Sequence, residues 1–269
     1  MVEPLQLEPD DVLAAVTAIS SGSAAGIDGI RPLHLQDMIA GDTMESGRRL
    51  LGALAKLSNL MLAGGIPDFA CGALYGASLC ALEKKGGGIR PIAVGSSYRR
   101  LTAKAAARHA TALLADLFRP KQLGVGVPGG CEAAVHAARE FVRWSSSSVT
   151  SPPQVLVKVD VANAYNSINR LSFLSQIREK CPAIYPLMRQ AYGFPSPLFY
   201  GKTKIFSRTG LHQGDPLASL AFSLAINPII RNITCPFNAW YLDDGTFGGE
   251  PQEVSRNLRE LEQGFAQLD

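Results

Sequence analysis

Asp243 and Asp244 stand side by side, with Trp240, Tyr241 and Leu242 leading in and Gly245, Thr246 and Phe247 leading out. Bulky β-formers on either side of a short acidic and glycine segment read as a tight β-hairpin, bounded at about Ala239 to Leu242 and Thr246-Phe247. Asp-Gly is a common hairpin turn, and that alone accounts for Asp244 before Gly245. Asp243 has no such explanation, because two adjacent carboxylates among apolar flanks repel each other unless a cation sits between them. That hairpin, with the strand-like and helical stretches below, marks a chain that mixes β and α elements.

A third carboxylate ends the run Val155 to Val161, apolar and β-branched with Lys158 and Asp160 embedded, the pattern of a buried strand. An aspartate in that place usually caps the next element or bonds backbone. Together, Asp160, Asp243 and Asp244 make three hard oxygen donors on neighbouring strands of one sheet, suited to Mg²⁺ held through carboxylates plus substrate phosphates. Two ions held this way activate an attacking hydroxyl and stabilise a leaving pyrophosphate, which is nucleotidyl transfer. No other set competes. His34, His109, His136 and His212 lack metal-ligand spacing, no Gly-x-Ser-x-Gly elbow is present, and Gly124-x-Gly126 is not followed by a phosphate-binding Lys-Ser/Thr.

Charge is distributed unevenly. Residues 81–122 carry nine Lys/Arg against two Asp/Glu, while the flanking stretches are acidic or near neutral, so this block is a candidate phosphate-binding surface or a solvated helix face. Within it, strands at about Leu74 to Leu82 and Ile89 to Val94 flank Gly86-Gly87-Gly88, a hairpin with Lys84, Lys85 and Arg90 at its tip. The Ala-rich helix Tyr98 to Leu117 follows, with Arg99, Arg100, Lys104 and Arg108 spaced to share one side. Further helices are expected at Arg48 to Ala63, Cys131 to Trp144, Ile168 to Lys180, Ile184 to Tyr192, Leu217 to Arg231 and Pro251 to Gln267, and a short one capped by Asp10. Leu198 to Tyr200 and Thr203 to Phe206 form another hairpin, and Ser145 to Pro153 a surface loop. The apolar stretch Leu217 to Ile226 falls short of the ~18 residues of a membrane span, so no membrane partner is expected. Five scattered cysteines without a Cys-x-x-Cys pair suit a reducing, intracellular setting, nucleus or cytoplasm.

Three runs, Asp160-Val-Ala-Asn-Ala-Tyr165, Gln213-Gly-Asp-Pro-Leu217 and Tyr241-Leu-Asp-Asp244, resemble the three catalytic motifs of reverse transcriptases in order and spacing. Ala25 to Ile30, Lys84 through three glycines to Arg90-Pro91-Ile92, Arg99-Arg100-Leu101 with Lys104, and Gln122-Leu-Gly124 resemble the fingers motifs of non-LTR retrotransposon and group II intron enzymes. The resemblance runs from about residue 10 to 265. It implies the α+β class, a polymerase right hand with fingers and palm around a central antiparallel sheet packed on helices: a fingers-type region with N-terminal helices at 1–150, interleaved with palm, and palm at 151–269, ending before the thumb. A duplex held by fingers and palm alone would be bound weakly.

The implied activity is RNA-directed DNA synthesis by a mobile element, on an RNA template with a DNA or RNA primer and dNTPs. Asp160, Asp243 and Asp244 would be catalytic and would bind two Mg²⁺, with Mn²⁺ as a substitute. Lys84 and Arg90 match residues that hold the triphosphate, with Lys85 able to replace Lys84. Tyr165 falls where an aromatic ring closes against the 2′ carbon and favours dNTPs, and Gln213 and Gly214 where the nucleotide and template base are supported. Glu83 departs from the family, where proline or an apolar residue is common. Two alternatives stand beside this reading: a truncated or inactive remnant that serves as a nucleic-acid-binding module, and an RNA-dependent RNA polymerase, which Tyr165 disfavours.

Overall fold

The computed structural model describes residues 2–41, 44–84, 86–147 and 152–268. Among them are the strands β1 (Ala77–Glu83), β2 (Ile89–Gly95), β3 (Val155–Asp160), β4 (Ser196–Tyr200), β5 (Thr203–Ser207), β6 (Phe237–Tyr241) and β7 (Asp244–Gly249). The expected α+β class is what the chain adopts, with the strands divided between two sheets. β3, β7 and β6, in that order, form an antiparallel three-stranded sheet. The order β2-β1-β4-β5 makes a mixed four-stranded sheet, because β4 runs parallel to β1 while both hairpins are antiparallel.

The acidic hairpin is anchored by one packing relationship. Trp240, fully buried, lies opposite Gly245 across the β6–β7 ladder, and a Cβ on Gly245 would come within 2.6 Å of its indole. The glycine that reads as a turn residue therefore serves as the seat of a tryptophan. Behind the sheet runs the helix Ala218–Arg231, buried over most of its circumference and packed on the helix Arg170–Lys180. An apolar surface on all sides is the mark of a central helix in the core.

Most expected helices lie within a residue or two of their sequence bounds; the one expected at Arg48 to Ala63 starts earlier, at Met44, and there are four further differences. Helices Pro32–Ala40 and Asp68–Tyr75 are additional, and the second takes the start of the run expected to be strand. The first helix, Pro9–Thr17, is closed by Asp11, whose carboxylate accepts from the Glu8 N–H at 3.1 Å, so Asp10 is not its cap. The helix Gly130–Ser147 extends into the serine tract, where Ser145 and Ser146 donate to the Val142 carbonyl; residues 148–151 of the expected loop lie outside the described residues. Finally, Arg99 does not share a solvated face with its basic neighbours, being 4% exposed. Among the described residues no helix is long and apolar enough to cross a membrane.

Candidate active site

β3 and β7 pair so that Asp160 stands directly opposite Asp244. β6 and β7 close through Tyr241 opposite Asp244, which leaves Leu242 and Asp243 as the two turn residues. The turn thus falls two residues earlier than an Asp244-Gly245 hairpin would place it. Leu242 has φ +57°, the left-handed region that a branched side chain enters at a cost of about 1–2 kcal/mol. Asp243 is carried at the tip. Burial pushes its carboxyl upward, and the neighbouring Asp244 and Asp160 push the same way, against its own backbone N–H and Arg90. Asp244, by contrast, has an exposed side chain 3.5 Å from Lys158 Nζ.

Asp160 and Asp243 face a polar cleft of about 720 Å³ that is also lined by Lys84, Arg90, Tyr165, Gln213 and Gly214. Seven of the eight residues singled out from sequence therefore share one cavity, and Asp244 adjoins it through its pairing with Asp160. Lys84 and Arg90 come from the β1–β2 hairpin, which closes through the Lys84 N–H to the Gly88 carbonyl at 3.0 Å; Lys85 lies outside the described residues. Gln213 is tied to β2, its carbonyl accepting from the Ala93 N–H at 2.8 Å. Gly214 has φ +116°, and a Cβ there would meet the Ala93 carbonyl oxygen at 2.9 Å, so only glycine fits this approach to the strand. Tyr165 stacks on Phe222 with ring centroids 4.9 Å apart. Its hydroxyl reaches Ser219 Oγ at 3.4 Å, and burial drives its pKa up to about 12, so the phenol stays neutral at physiological pH.

Among the described residues no three His, Cys, Asp or Glu side chains converge into a ready metal-binding group. The donor pair Asp160 and Asp243 nevertheless fits a divalent cation. Both are hard oxygen donors in one polar cleft, their charges oppose each other, and Mg²⁺ is commonly held by one or two carboxylates with the remaining positions left to water and phosphate.

Two features of the site were not assigned these roles from sequence. Gln122, fully buried, bonds the backbone of Leu242 with both ends of its amide. Asp215, inside the Gln-Gly-Asp-Pro run, forms a buried ion pair with Arg99 at 2.6 Å and accepts from the Tyr192 hydroxyl at 2.6 Å. Its carboxyl is drawn below the usual range, because Arg99 and those hydrogen bonds overcome the opposing effect of burial. The available signal was the aspartate itself, invariably costly to bury without a cation.

Residues 82–268 match the family model described as reverse transcriptase (RNA-dependent DNA polymerase). No curated protein matches the chain. Among solved structures it is similar to an apo telomerase from Candida tropicalis truncated from the C-terminal domain, with a TM-score of 0.51 and 12% identity over 94% of this chain and 67% of that one. An apo telomerase structure from the same organism gives a TM-score of 0.52 and 12% identity over 72% of this chain and 42% of that one. At that identity the likeness is one of fold, the α+β fingers and palm arrangement.

Proposed function

The chain belongs to the reverse transcriptase (RNA-dependent DNA polymerase) family, and from that premise we propose that it extends a DNA or RNA primer on an RNA template with dNTPs as the polymerase of a mobile element. The observation that carries this reading is the single cleft. Residues from four separate parts of the chain bring a carboxylate pair, two cations, an aromatic ring and a glycine-hinged glutamine to one cavity.

Each group has a task that follows from its placement. Lys84 and Arg90 neutralise a triphosphate entering beside the acidic tip, and their separation along one hairpin spreads that charge over several oxygens. Tyr165, braced by Phe222, offers a fixed ring edge on which a 2′-hydroxyl would collide, which favours deoxynucleotides. Gln213, fixed to β2 through its backbone, presents its amide to the nucleotide and template base. Asp160 and Asp243 would hold Mg²⁺, or Mn²⁺ in its place, and Asp244, paired opposite Asp160, would complete the donor set. When bound, the cations lower the pKa of the primer 3′-hydroxyl and stabilise the leaving pyrophosphate. The mobile-element origin is supported by the fingers motifs, which resemble those of non-LTR and group II intron enzymes.

Primer extension on an annealed RNA template and DNA primer tests the reading at low salt, where phosphate contacts are least screened. dNTP-dependent extension that disappears in Asp243→Ala is the expected result. RNA–DNA binding without extension in any lane would favour the second reading, a nucleic-acid-binding remnant, for which the turn of Asp244 toward Lys158 is the supporting observation.

A further inference from the structure

We propose that Gln122 is a positioning residue for the catalytic turn, clasping the backbone of Leu242 and so setting where the Asp243 carboxylate stands. The inference rests on the assignment of Asp243 made above.

Gln122 is itself held rigidly. It follows the helix Ser97–Phe118 in a short extended segment that pairs parallel with β6 at Trp240. The Trp240 N–H donates to the Lys121 carbonyl at 2.7 Å, and the Leu123 N–H donates to the Trp240 carbonyl at 2.7 Å. Lys121 pins the same segment by donating to the carbonyls of Arg231 and Ile233 at 3.0 and 2.9 Å. From this base the Gln122 side chain reaches the turn. Its Oε1 accepts from the Leu242 N–H at 2.8 Å, and its Nε2 donates to the Leu242 carbonyl at 3.1 Å.

Both backbone polar groups of one residue are thus held by one planar amide. The residue so held is Leu242, the left-handed leucine whose carbonyl belongs to the peptide group leading into Asp243. A non-glycine residue keeps this conformation only where its surroundings over-determine it. Gln122 supplies that constraint together with Gly124, whose N–H donates to the same Oε1 at 3.0 Å and where a Cβ would lie 2.7 Å from the Leu242 amide nitrogen. A buried glutamine that only satisfied itself could have bonded any nearby backbone; this one spends its amide on the residue before the catalytic carboxylate.

The test replaces Gln122 with Met, which conserves volume and removes every hydrogen bond. Three quantities are read: Mn²⁺ affinity by electron paramagnetic resonance, kcat and KM for dNTP in primer extension, and Tm. The proposal expects Mn²⁺ affinity and kcat to fall by about 10–100-fold, the range for groups that orient metal ligands, with KM for dNTP little changed because Lys84 and Arg90 are untouched. Adding Leu242→Asn, which tolerates the left-handed region better, is expected to recover part of both losses. Should Gln122→Met fail to fold, Gln122→Glu, which keeps the volume but cannot donate to the Leu242 carbonyl at neutral pH, is expected to show the same two losses. A folded variant with parental Mn²⁺ affinity and kcat overturns the proposal, as does a loss that tracks Tm alone with Mn²⁺ affinity intact. The two readings separate cleanly: a parent chain that binds Mn²⁺ through Asp243 but extends no primer defeats the polymerase reading and leaves the Gln122 effect on affinity measurable. A parent that binds no Mn²⁺ defeats both.

Discussion

Arg99 and Asp215 meet at 2.6 Å with 4% of each side chain exposed, directly behind the Gln213-Gly214 segment that lines the cleft. The guanidinium also donates to the Tyr75 carbonyl at 2.8 Å and to His212 Nδ1 at 3.3 Å, and it lies over the Tyr192 ring. Because arginine only donates, His212 must carry its proton on Nε2, which is 3.3 Å from Ser196 Oγ. The network ties the start of the helix Ser97–Phe118, one strand of the mixed sheet and the start of the helix Ala218–Arg231 into a single polar joint.

Breaking that joint on one side leaves a buried charge alone. Asp215→Ala is expected to destabilise the fold by about 3–5 kcal/mol, the usual consequence of orphaning one member of a buried pair. The double variant Arg99→Met with Asp215→Leu should cost less than Asp215→Ala. Urea unfolding of the three proteins checks this; a double variant worse than the single one would show that the joint depends on polar contacts and not on charge balance.

Acid should loosen the same joint. Burial, with Arg99 and Arg170 nearby, lowers the His212 pKa from 6.5 to about 3, although Asp215 pulls the other way. A histidine whose folded pKa is depressed binds its proton more readily when unfolded, so stability falls as pH drops from about 6.5 toward 3. The Asp215 carboxyl, also depressed, adds to the loss below about pH 4. His212→Gln, which can still accept from Arg99 and donate to Ser196, is expected to flatten the pH dependence of the unfolding free energy from urea titrations between pH 7 and 4 by a few kcal/mol. Parallel parent and variant profiles would rule the histidine out as the source.

On the proposed reading, sugar selection rests on the Tyr165 ring. Tyr165→Ala removes the wall that Phe222 braces and is expected to raise rNTP incorporation relative to dNTP by at least tenfold in kcat/KM. Tyr165→Phe loses only the 3.4 Å contact to Ser219 and should keep the parental preference. Competitive primer extension with both nucleotide types measures the ratio, and an unchanged ratio in Tyr165→Ala would remove the ring from that role.

Charge opposition at the tip predicts a trade between stability and activity. Asp243→Asn relieves repulsion from Asp160 and Asp244, so Tm should stay level or rise by a few degrees while extension is lost. Differential scanning calorimetry beside the extension assay tests the pair of effects. A clear fall in Tm would mean that the Asp243 carboxylate holds the turn together.

Local patterns made most of the site legible. Helix periodicity and glycine punctuation depend on interactions within a few residues, and these located the strand carrying Asp160 and the hairpins bearing Asp243-Asp244 and Lys84 with Arg90, while Tyr165, Gln213 and Gly214 were reached through the motif resemblance. The same patterns misled where two local readings compete. Asp-Gly is a good turn signal, yet Gly245 lies inside β7 because Trp240 needs its empty face. Four basic residues at helical spacing look equivalent, yet Arg99 alone is buried.

What sequence by itself determined about this protein is the class of most of its longer elements, and the set of side chains that belong together by resemblance to one motif set. Tertiary structure decided which of them face the cleft, which carboxylate turns toward Lys158, and what holds the left-handed leucine before Asp243. The reason is the length of the connections. Arg99 finds Asp215 across 116 residues and Gln122 finds Leu242 across 120, and no local preference encodes a partner at that distance. Only packing the two sheets and the central helix brings such groups within hydrogen-bonding reach, and the burial that follows obliges them to pair.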